Sequence, residues 1–347
     1  MKKLAIIIAV LLALLTFLFP RYLGFSFWKL GEAVNVATGL GSKLACSAHF
    51  ISGFDEDQSK ADVVSYSAAA ALLDLQYNEE DQYVTATMFS LSEKRSQFRE
   101  GLGCTLEIGD SEPLNTISLK EIESAEQHWP MGNQVDTISQ SVQLKAQDLL
   151  VQDNQDGLQT RALLLVKDNK VMAEAYSEGV NMNTPLMGWS MGKSVTSMLI
   201  GRLDAMKGVD VKQTDLFDQW KQDERKDVNL EHLLNMSSGL DFDETYAPGS
   251  DATHMLFTAY SASDVALTSP LALEPSTHFS YSSGTTNILS RWLHESLGGD
   301  VQTTLNFVQD ELFAPLNMAH TYLEPDASGV HVGSSYIYAS ARDWARL

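Results

Sequence analysis

The sequence predicts a mixed α/β (α+β) fold in which antiparallel strands and amphipathic helices share one chain. Two short apolar runs, residues 161–166 and 171–176, are joined by four polar residues, a pattern typical of a β-hairpin. Farther along, apolar residues recur at helical spacing up to Gly208, a residue type that commonly follows a helix end. These residues are Val195, Met198, Leu199 and Leu203. A chain of 347 residues, 44% of them hydrophobic, is long enough to bury a large core.

The first 30 residues predict a membrane anchor or a signal segment. Residues 4–19 are apolar apart from Thr16, and two lysines precede them. A helix of this length spans about 24 Å, less than the roughly 30 Å hydrocarbon core of a bilayer, which suits a signal peptide. Because no small-residue cleavage site follows closely, we favour an uncleaved inner-membrane anchor. The lysines would hold its start in the cytoplasm and leave the rest of the chain in the periplasm, whereas cleavage would give a secreted form.

Residues 31–125 form an N-terminal extension whose role the sequence does not indicate. Residues 83–91 alternate as a strand does, and the acidic segments 55–60 and 78–82 predict surface loops. Cys46 and Cys104 both lie in this extension, and an oxidising compartment would allow a disulfide between them. Two free buried thiols are the alternative.

Charge and histidine spacing narrow the classes of partner. The chain carries 45 acidic and 24 basic residues, and its formal net charge of −21 argues against nucleic acid or an anionic membrane surface. The eight histidines form no metal-binding pattern with one another or with cysteine, so we expect no metal and no other cofactor. The sequence does not indicate an oligomeric state.

The strongest chemical signal is the segment 188–193, Gly-Trp-Ser-Met-Gly-Lys. Ser190 and Lys193 stand one helical turn apart, so the amine can accept the hydroxyl proton and make the serine nucleophilic. The positive end of the helix dipole favours a neutral amine at this position. The spacing alone is weak evidence, because a second Ser-x-x-Lys, Ser26 to Lys29, lies beside the apolar N-terminal run.

Two further segments join this serine in a recognisable set of motifs. Residues 278–287 form a small polar turn that contains Tyr281 and Ser283, and residues 232–240 end a helix in a Ser-Ser-Gly turn. With Ser190 and Lys193, these motifs resemble those of the serine β-lactamase and penicillin-binding-protein-like superfamily. The resemblance is to its class C side, which includes esterases and 6-aminohexanoate-oligomer hydrolases. It extends from residue 161 to residue 347.

The resemblance implies a fold and a mechanism for residues 126–347. The fold would be an antiparallel sheet flanked by helices, with a helical lobe over it. Lys193 with Tyr281 would accept the Ser190 proton during attack on an amide or ester carbonyl, and Tyr281 would then protonate the leaving group. Ser283 would support the site, and Trp189 would lie either in the core or in the substrate pocket. Substrates would be small-molecule or peptide acyl compounds.

One motif of the family is not found where it is expected. The family's Lys-Thr-Gly or His-x-Gly strand should follow a helix like residues 339–347, whereas the matching string here, residues 331–333, precedes that segment. We therefore expect a sheet that lacks its C-terminal strands. Two readings follow from this expectation. The chain is either a fragment of an active hydrolase or a catalytically weak member that binds peptide or peptidoglycan-like ligands.

A rival hypothesis uses the same serine. Residues 188–192 also match Gly-x-Ser-x-Gly, the nucleophile elbow of α/β-hydrolases, for which His278 or His320 would be the base. That elbow needs a buried strand directly before the serine. Residues 181–185 are polar and include a proline, so the sequence predicts no such strand and disfavours this hypothesis.

Overall fold

The computed structural model describes residues 14, 16, 21, 26–122, 126–136 and 138–347. Apart from Leu14 and Thr16, the predicted anchor at residues 4–19 lies outside the described residues. The predicted domain boundary at residue 125 also lies outside them. Within the described ranges, no helix is both long enough and apolar enough to cross a membrane.

The first part of the chain forms a helix-on-sheet unit, residues 30–106, which we call the N-terminal module. Its helix α1 (Leu30–Phe50) packs on a four-stranded antiparallel sheet. In spatial and chain order the strands are β1 (Asp74–Asn78), β2 (Tyr83–Met88), β3 (Ser92–Arg99) and β4 (Gly103–Leu106). Alternate residues of β2 are buried, which confirms the alternating pattern as far as Met88. Phe89 and Ser90 then adopt positive φ values of 51° and 56° and turn the chain into β3.

The second helix of the module corrects one prediction. Helix α2 (Glu56–Tyr66) occupies most of the acidic segment 55–60, which the sequence predicts as a surface loop. The Asp55 carboxylate caps the helix by accepting a hydrogen bond from the Gln58 backbone N–H at 2.8 Å. Acidic residues in the first turn also interact favourably with the helix dipole, so the same charges that suggest a loop start a helix here. The other acidic segment, 78–82, does form the turn between β1 and β2.

A disulfide joins Cys46 of α1 to Cys104 of β4, which confirms the predicted pairing. Both cysteines are fully buried in the apolar core between the helix and the sheet. The bond therefore ties the main helix of the module to the last strand of its sheet.

The C-terminal part of the chain, residues 126–347, contains two more antiparallel sheets. Helix α3 (Gln140–Gln155) packs on the predicted hairpin, whose strands are β5 (Ala162–Lys167) and β6 (Lys170–Tyr176). Asp168 and Asn169 have positive φ values of 50° and 56°, as a tight two-residue hairpin turn requires. The other sheet has the order β7-β9-β8, with β7 at Leu186–Met187, β8 at Thr321–Leu323 and β9 at Ile337–Ala339.

Helices surround these sheets and supply the main apolar core. They are α4 (Gly192–Lys207), α5 (Leu230–Leu234), α6 (Asp251–Phe257), α7 (Ala262–Leu267), α8 (Ser283–Ser296), α9 (Val301–Val308) and α10 (Ala341–Trp344). Helix α4 ends before Gly208, whose φ of +70° confirms the predicted end. Of the four apolar residues at helical spacing in α4, Val195, Leu199 and Leu203 are buried, whereas Met198 is 39% exposed. The apolar face of α4 is narrower than the sequence pattern indicates, because the Met198 side of the helix is exposed.

A buried ion pair joins the N-terminal module to the C-terminal part. Lys43 of α1 binds Glu324, which also accepts hydrogen bonds from the Ser47 hydroxyl at 2.8 Å and the Cys104 N–H at 2.6 Å. The Lys43 ammonium lies 4.3 Å from the centre of the Tyr336 ring. These contacts satisfy both charges inside the protein and fix the module against the segment that leads into β9.

Candidate active site

Two glycines allow the close packing that places Ser190 at the surface. The chain passes from β7 through a short 3-10 turn that carries Ser190, and α4 begins at Gly192. A Cβ on Gly192 would lie 2.5 Å from the Gly333 carbonyl oxygen, and a Cβ on Gly188 would lie 2.2 Å from the Trp344 ring. Only glycine fits at these two positions, and the serine between them is left exposed.

The Lys193 amine lies at the centre of the site. Its Nζ is 3.2 Å from the Ser190 Oγ, 3.1 Å from the Ser283 Oγ and 3.0 Å from the Ser334 carbonyl oxygen. Three acceptors therefore hold the amine beside the hydroxyl. The structure brings together the Ser-x-x-Lys pair and Ser283, as the sequence predicts.

Tyr281 meets Lys193 with its ring face. The ring centre lies 4.8 Å from the Lys193 Nζ, and 46% of the residue is exposed. Its loop is held by the segment 232–240, since the Met236 carbonyl accepts a hydrogen bond from the Ser280 N–H at 2.8 Å. Tyr281 is thus at the site, in a contact that a cation and an aromatic face make favourably. The catalytic role of its hydroxyl stays a prediction.

Glu244 and Tyr246 belong to the site and were missed by the sequence analysis. The Ser283 Oγ lies 2.5 Å from one Glu244 oxygen, and the Ser283 N–H donates to the other at 2.8 Å. The Tyr246 hydroxyl lies 3.0 Å from the Glu244 carboxylate and 3.1 Å from the Ser283 Oγ. Burial raises the pKa of Tyr246 to about 12, and its hydrogen bond with Ser283 opposes that shift. Nothing in the turn-rich segment 241–250 marks these residues, because only the fold brings them to Ser283.

Trp189 is packed between the module and the C-terminal part. Its indole N–H donates to the Tyr66 hydroxyl at 3.0 Å, and the two ring centres lie 5.5 Å apart in an edge-to-face arrangement. The Tyr336 ring lies 6.4 Å from the indole. The residue is only partly buried and adopts a positive φ of 44° directly before the serine.

The comparison with protein families assigns the chain. The sequence profile of the Beta-lactamase family matches residues 144–347, which is more than half of the chain. The chain belongs to the beta-lactamase family. With Ser190 and Lys193 at hydrogen-bond distance, its fold and motifs are those of a β-lactamase-type serine hydrolase.

Solved structures with a similar fold include a protein described as a 6-aminohexanoate-dimer hydrolase from Bacillus anthracis. It has 18% identity and a TM-score of 0.50, and the match covers 68% of this chain and 66% of that one. A protein described as a β-lactamase from Bacteroides dorei has 21% identity and a TM-score of 0.46, with coverage of 57% and 60%. A class C β-lactamase solved with cefoxitin has 17% identity and a TM-score of 0.44, with coverage of 59% and 64%.

The chain spans 66% or less of the length of the three solved structures. None of the curated proteins matches the chain at a significant level. At such low identity the similarity shows the fold alone.

The family assignment disfavours the α/β-hydrolase hypothesis. Residues 181–185 form no strand, as the sequence predicts, and the two-residue strand β7 that follows them is only half-buried and belongs to an antiparallel sheet. The Ser190 Oγ accepts a hydrogen bond from the Lys193 Nζ. His278 is exposed, and His320 donates its backbone N–H to Asp343. In the part of the chain that the structure describes, neither histidine forms a hydrogen bond with Ser190.

The His-Val-Gly string at 331–333 lies between helices α4 and α8. His331 is buried, and burial lowers its pKa to about 4. A Cβ on Gly333 would lie 2.2 Å from the Thr196 Oγ1 and 2.5 Å from the Ser290 Oγ. The string therefore packs inside the protein, and the carbonyl of the next residue, Ser334, accepts the hydrogen bond from Lys193.

Among the residues that the structure describes, no three His, Cys, Asp or Glu side chains are grouped so as to hold a metal ion.

Proposed function

We propose that this protein is a membrane-anchored, extracytoplasmic serine hydrolase that cleaves an amide or ester bond through an acyl-enzyme on Ser190. The observation that carries the proposal is the position of the Lys193 Nζ, 3.2 Å from the Ser190 Oγ and 3.1 Å from the Ser283 Oγ. Acyl transfer requires a nucleophile within reach of a base. Here the Ser190 hydroxyl is the nucleophile and the Lys193 amine, held by further polar groups, is the base.

The mechanism has two steps. Lys193 accepts the hydroxyl proton while the Ser190 oxygen forms a bond to the substrate carbonyl carbon, and the Ser190 N–H binds the developing oxyanion. The bond from the carbonyl carbon to the leaving nitrogen or oxygen then breaks, and Tyr281 or Lys193 returns a proton to the leaving group. Water attacks the acyl-enzyme and releases the acid and free Ser190.

The network beyond Lys193 has a role in this mechanism. Ser283 accepts a hydrogen bond from the lysine and donates one to Glu244, so it connects the amine to a carboxylate. A carboxylate at the end of this path stabilises positive charge on Lys193 after it takes the serine proton. Glu244 thus acts through Ser283 on the same proton transfer.

The substrate class proposed is a small-molecule or peptide acyl compound. The first solved structure compared is described as acting on 6-aminohexanoate dimer, a short linear amide. An exposed serine and a half-exposed tyrosine leave room for an extended substrate of this kind. The alternative function is binding of a peptide without hydrolysis, and experiment must distinguish it from hydrolysis.

The proposed location outside the cytoplasm draws on two features. The apolar run 4–19 follows two lysines, as in an anchor whose start stays in the cytoplasm. The Cys46–Cys104 disulfide is typical of oxidising compartments such as the periplasm. Membrane fractionation of cells, with and without residues 1–25, tests the anchor.

A fluorophosphonate probe tests the proposed chemistry. The folded wild-type chain should be labelled covalently, and both Ser190→Ala and Lys193→Ala should abolish the labelling. The matched control is Ser26→Ala, which alters the other Ser-x-x-Lys of the chain and should label at the wild-type rate. If folded wild-type protein is not labelled, the peptide-binding alternative replaces the proposal.

A further inference from the structure

The residue before the nucleophile has a backbone that needs external support. Trp189 adopts a φ of +44°, a left-handed conformation that is unusual for a bulky residue. Such conformations persist only when surrounding contacts hold them. Because the peptide between Trp189 and Ser190 carries the N–H proposed to bind the oxyanion, the orientation of Trp189 sets the direction of that donor.

Trp189 is supported from both the N-terminal module and the C-terminal part. The Tyr66 hydroxyl accepts the indole N–H at 3.0 Å, and the Tyr66 ring meets the indole edge-to-face at 5.5 Å. The tilted Tyr336 ring lies 6.4 Å away. Tyr336 itself is held by its hydroxyl, which donates to the Leu256 carbonyl at 2.6 Å, and by Lys43 of the module, 4.3 Å from its ring centre.

The end of helix α2, which carries Tyr66, is tied to the C-terminal part by an ion pair. Tyr66 is the last residue of α2, and Asp62 of the same helix forms an ion pair with Arg161, directly before β5. The Arg161 guanidinium also lies 4.7 Å from the centre of the Phe54 ring. These contacts tie the end of α2 to the C-terminal part, and the half-exposed Tyr66 at that end accepts the Trp189 indole N–H.

We infer that Tyr66 is a positioning residue for Ser190 that acts through Trp189, so that the N-terminal module completes the active site from outside the matched family segment. The Beta-lactamase profile begins at residue 144, whereas Tyr66 lies in the module. This inference rests on the proposed function, since the property it explains is the reactivity of Ser190. Tyr66 touches no reacting atom, and its effect passes through one hydrogen bond and one ring contact.

The test is a double-mutant cycle on acylation kinetics in the full chain. Tyr66→Phe removes only the acceptor hydroxyl, and Trp189→Phe removes its donor. Because a hydrogen bond contributes about 0.5–1.5 kcal/mol, Tyr66→Phe should lower the maximal rate of acylation by fluorophosphonate by about 2- to 12-fold. The half-saturating probe concentration should stay unchanged. In the Trp189→Phe background, adding Tyr66→Phe should have no further effect.

The control is Tyr83→Phe, which removes a hydroxyl from the same module at a ring packed 4.0 Å from Arg95. It should acylate at the wild-type rate. A wild-type rate in Tyr66→Phe, or an equal loss with and without the Trp189 indole, overturns the inference while leaving the proposed function intact.

A second measurement covers the case in which wild-type protein is not acylated at all, which overturns the proposed function. Hydrogen exchange of the Trp189 indole N–H, assigned by its absence in Trp189→Phe, should be faster in Tyr66→Phe than in Tyr83→Phe. Equal exchange in the two variants would show that Tyr66 does not hold the indole, and the inference would then fail independently.

Discussion

Ser283 shows at the scale of one residue how this site is built. It begins helix α8, accepts a hydrogen bond from Lys193 and bonds Glu244 through both its N–H and its hydroxyl. Ser283, which lies in the same polar turn as Tyr281, therefore connects the Ser190–Lys193 pair to the Glu244 carboxylate, a group outside that turn. A hydroxyl suits this position because it can donate and accept at the same time.

Two buried side chains in the segment before β9, Asp326 and His331, change the free energy of unfolding in opposite directions as the pH falls. Burial lowers the pKa of His331 from 6.5 to about 4 and raises the pKa of Asp326 from 3.8 to about 6. The unfolded chain protonates His331 first, so its contribution is present above pH 6.5 and is lost as the pH falls through 4. The folded chain protonates Asp326 first, so its contribution is present below pH 3.8 and is lost as the pH rises through 6.

These opposite slopes give a prediction for two variants. Each group changes the free energy of unfolding by about 3 kcal/mol across its window, so the two largely cancel in the wild type. Relative to wild type, His331→Gln should gain about 3 kcal/mol as the pH falls from 6.5 to 4. Asp326→Asn should lose a similar amount over the same range. Urea unfolding at several pH values measures both, and parallel pH profiles for the three proteins would contradict the assignment.

At the scale of elements, the N-terminal module depends on a helix that is tied to its sheet. Small residues of helix α1 let its backbone approach the neighbouring elements closely. A Cβ on Gly39 would lie 2.0 Å from the Phe257 carbonyl oxygen, and one on Gly41 would lie 2.5 Å from the Leu73 side chain. Close packing of this kind depends on the register of the helix, which the Cys46–Cys104 bond secures.

Removal of the disulfide should destabilise the module. Closing a loop of 58 residues contributes about 4 kcal/mol through the entropy of the unfolded chain. The double variant Cys46→Ala/Cys104→Ala should therefore lose about this much free energy of unfolding, measured by urea denaturation. Reduced wild-type protein should unfold at nearly the same urea concentration as the variant. A loss below about 1 kcal/mol would mean that the bond does not stabilise through chain entropy.

At the scale of the whole molecule, one buried ion pair joins its two parts. Burial lowers the pKa of Lys43 and raises that of Glu324, and their mutual attraction opposes both shifts. The pair therefore stabilises the protein only while both partners are present. This dependence couples the docking of the N-terminal module to the segment that carries Tyr336 and β9.

Breaking this pair on one side should be costly. Lys43→Met leaves the Glu324 charge buried without its cation, so the free energy of unfolding should fall by about 3–5 kcal/mol. Adding Glu324→Gln should recover part of the loss, because the amide oxygen can still accept from the Cys104 N–H. The control is Lys221→Met, which breaks the exposed pair with Asp218 and should change stability little. A double variant less stable than Lys43→Met would contradict this account.

Sequence patterns correctly predicted the structural features that depend on residues close together in the chain. The hairpin, the end of α4 at Gly208 and the Ser190–Lys193 pair follow from residue spacing over a few positions, where turn chemistry and helical periodicity decide the outcome. The disulfide could be paired because the chain has only two cysteines. The acidic start of α2 was read as a loop because capping residues and loop residues share the same polar composition.

Long-range packing decided the rest, since contacts between distant residues leave no local pattern. The exposure of Met198 depends on which side of α4 the rest of the protein covers. Glu244 and Tyr246 reach Ser283 across 39 and 37 residues, and Tyr66 reaches Trp189 across 123. Residue order thus specified the Ser190–Lys193 pair, while the groups that contact this pair were selected by how the module and the C-terminal part pack together.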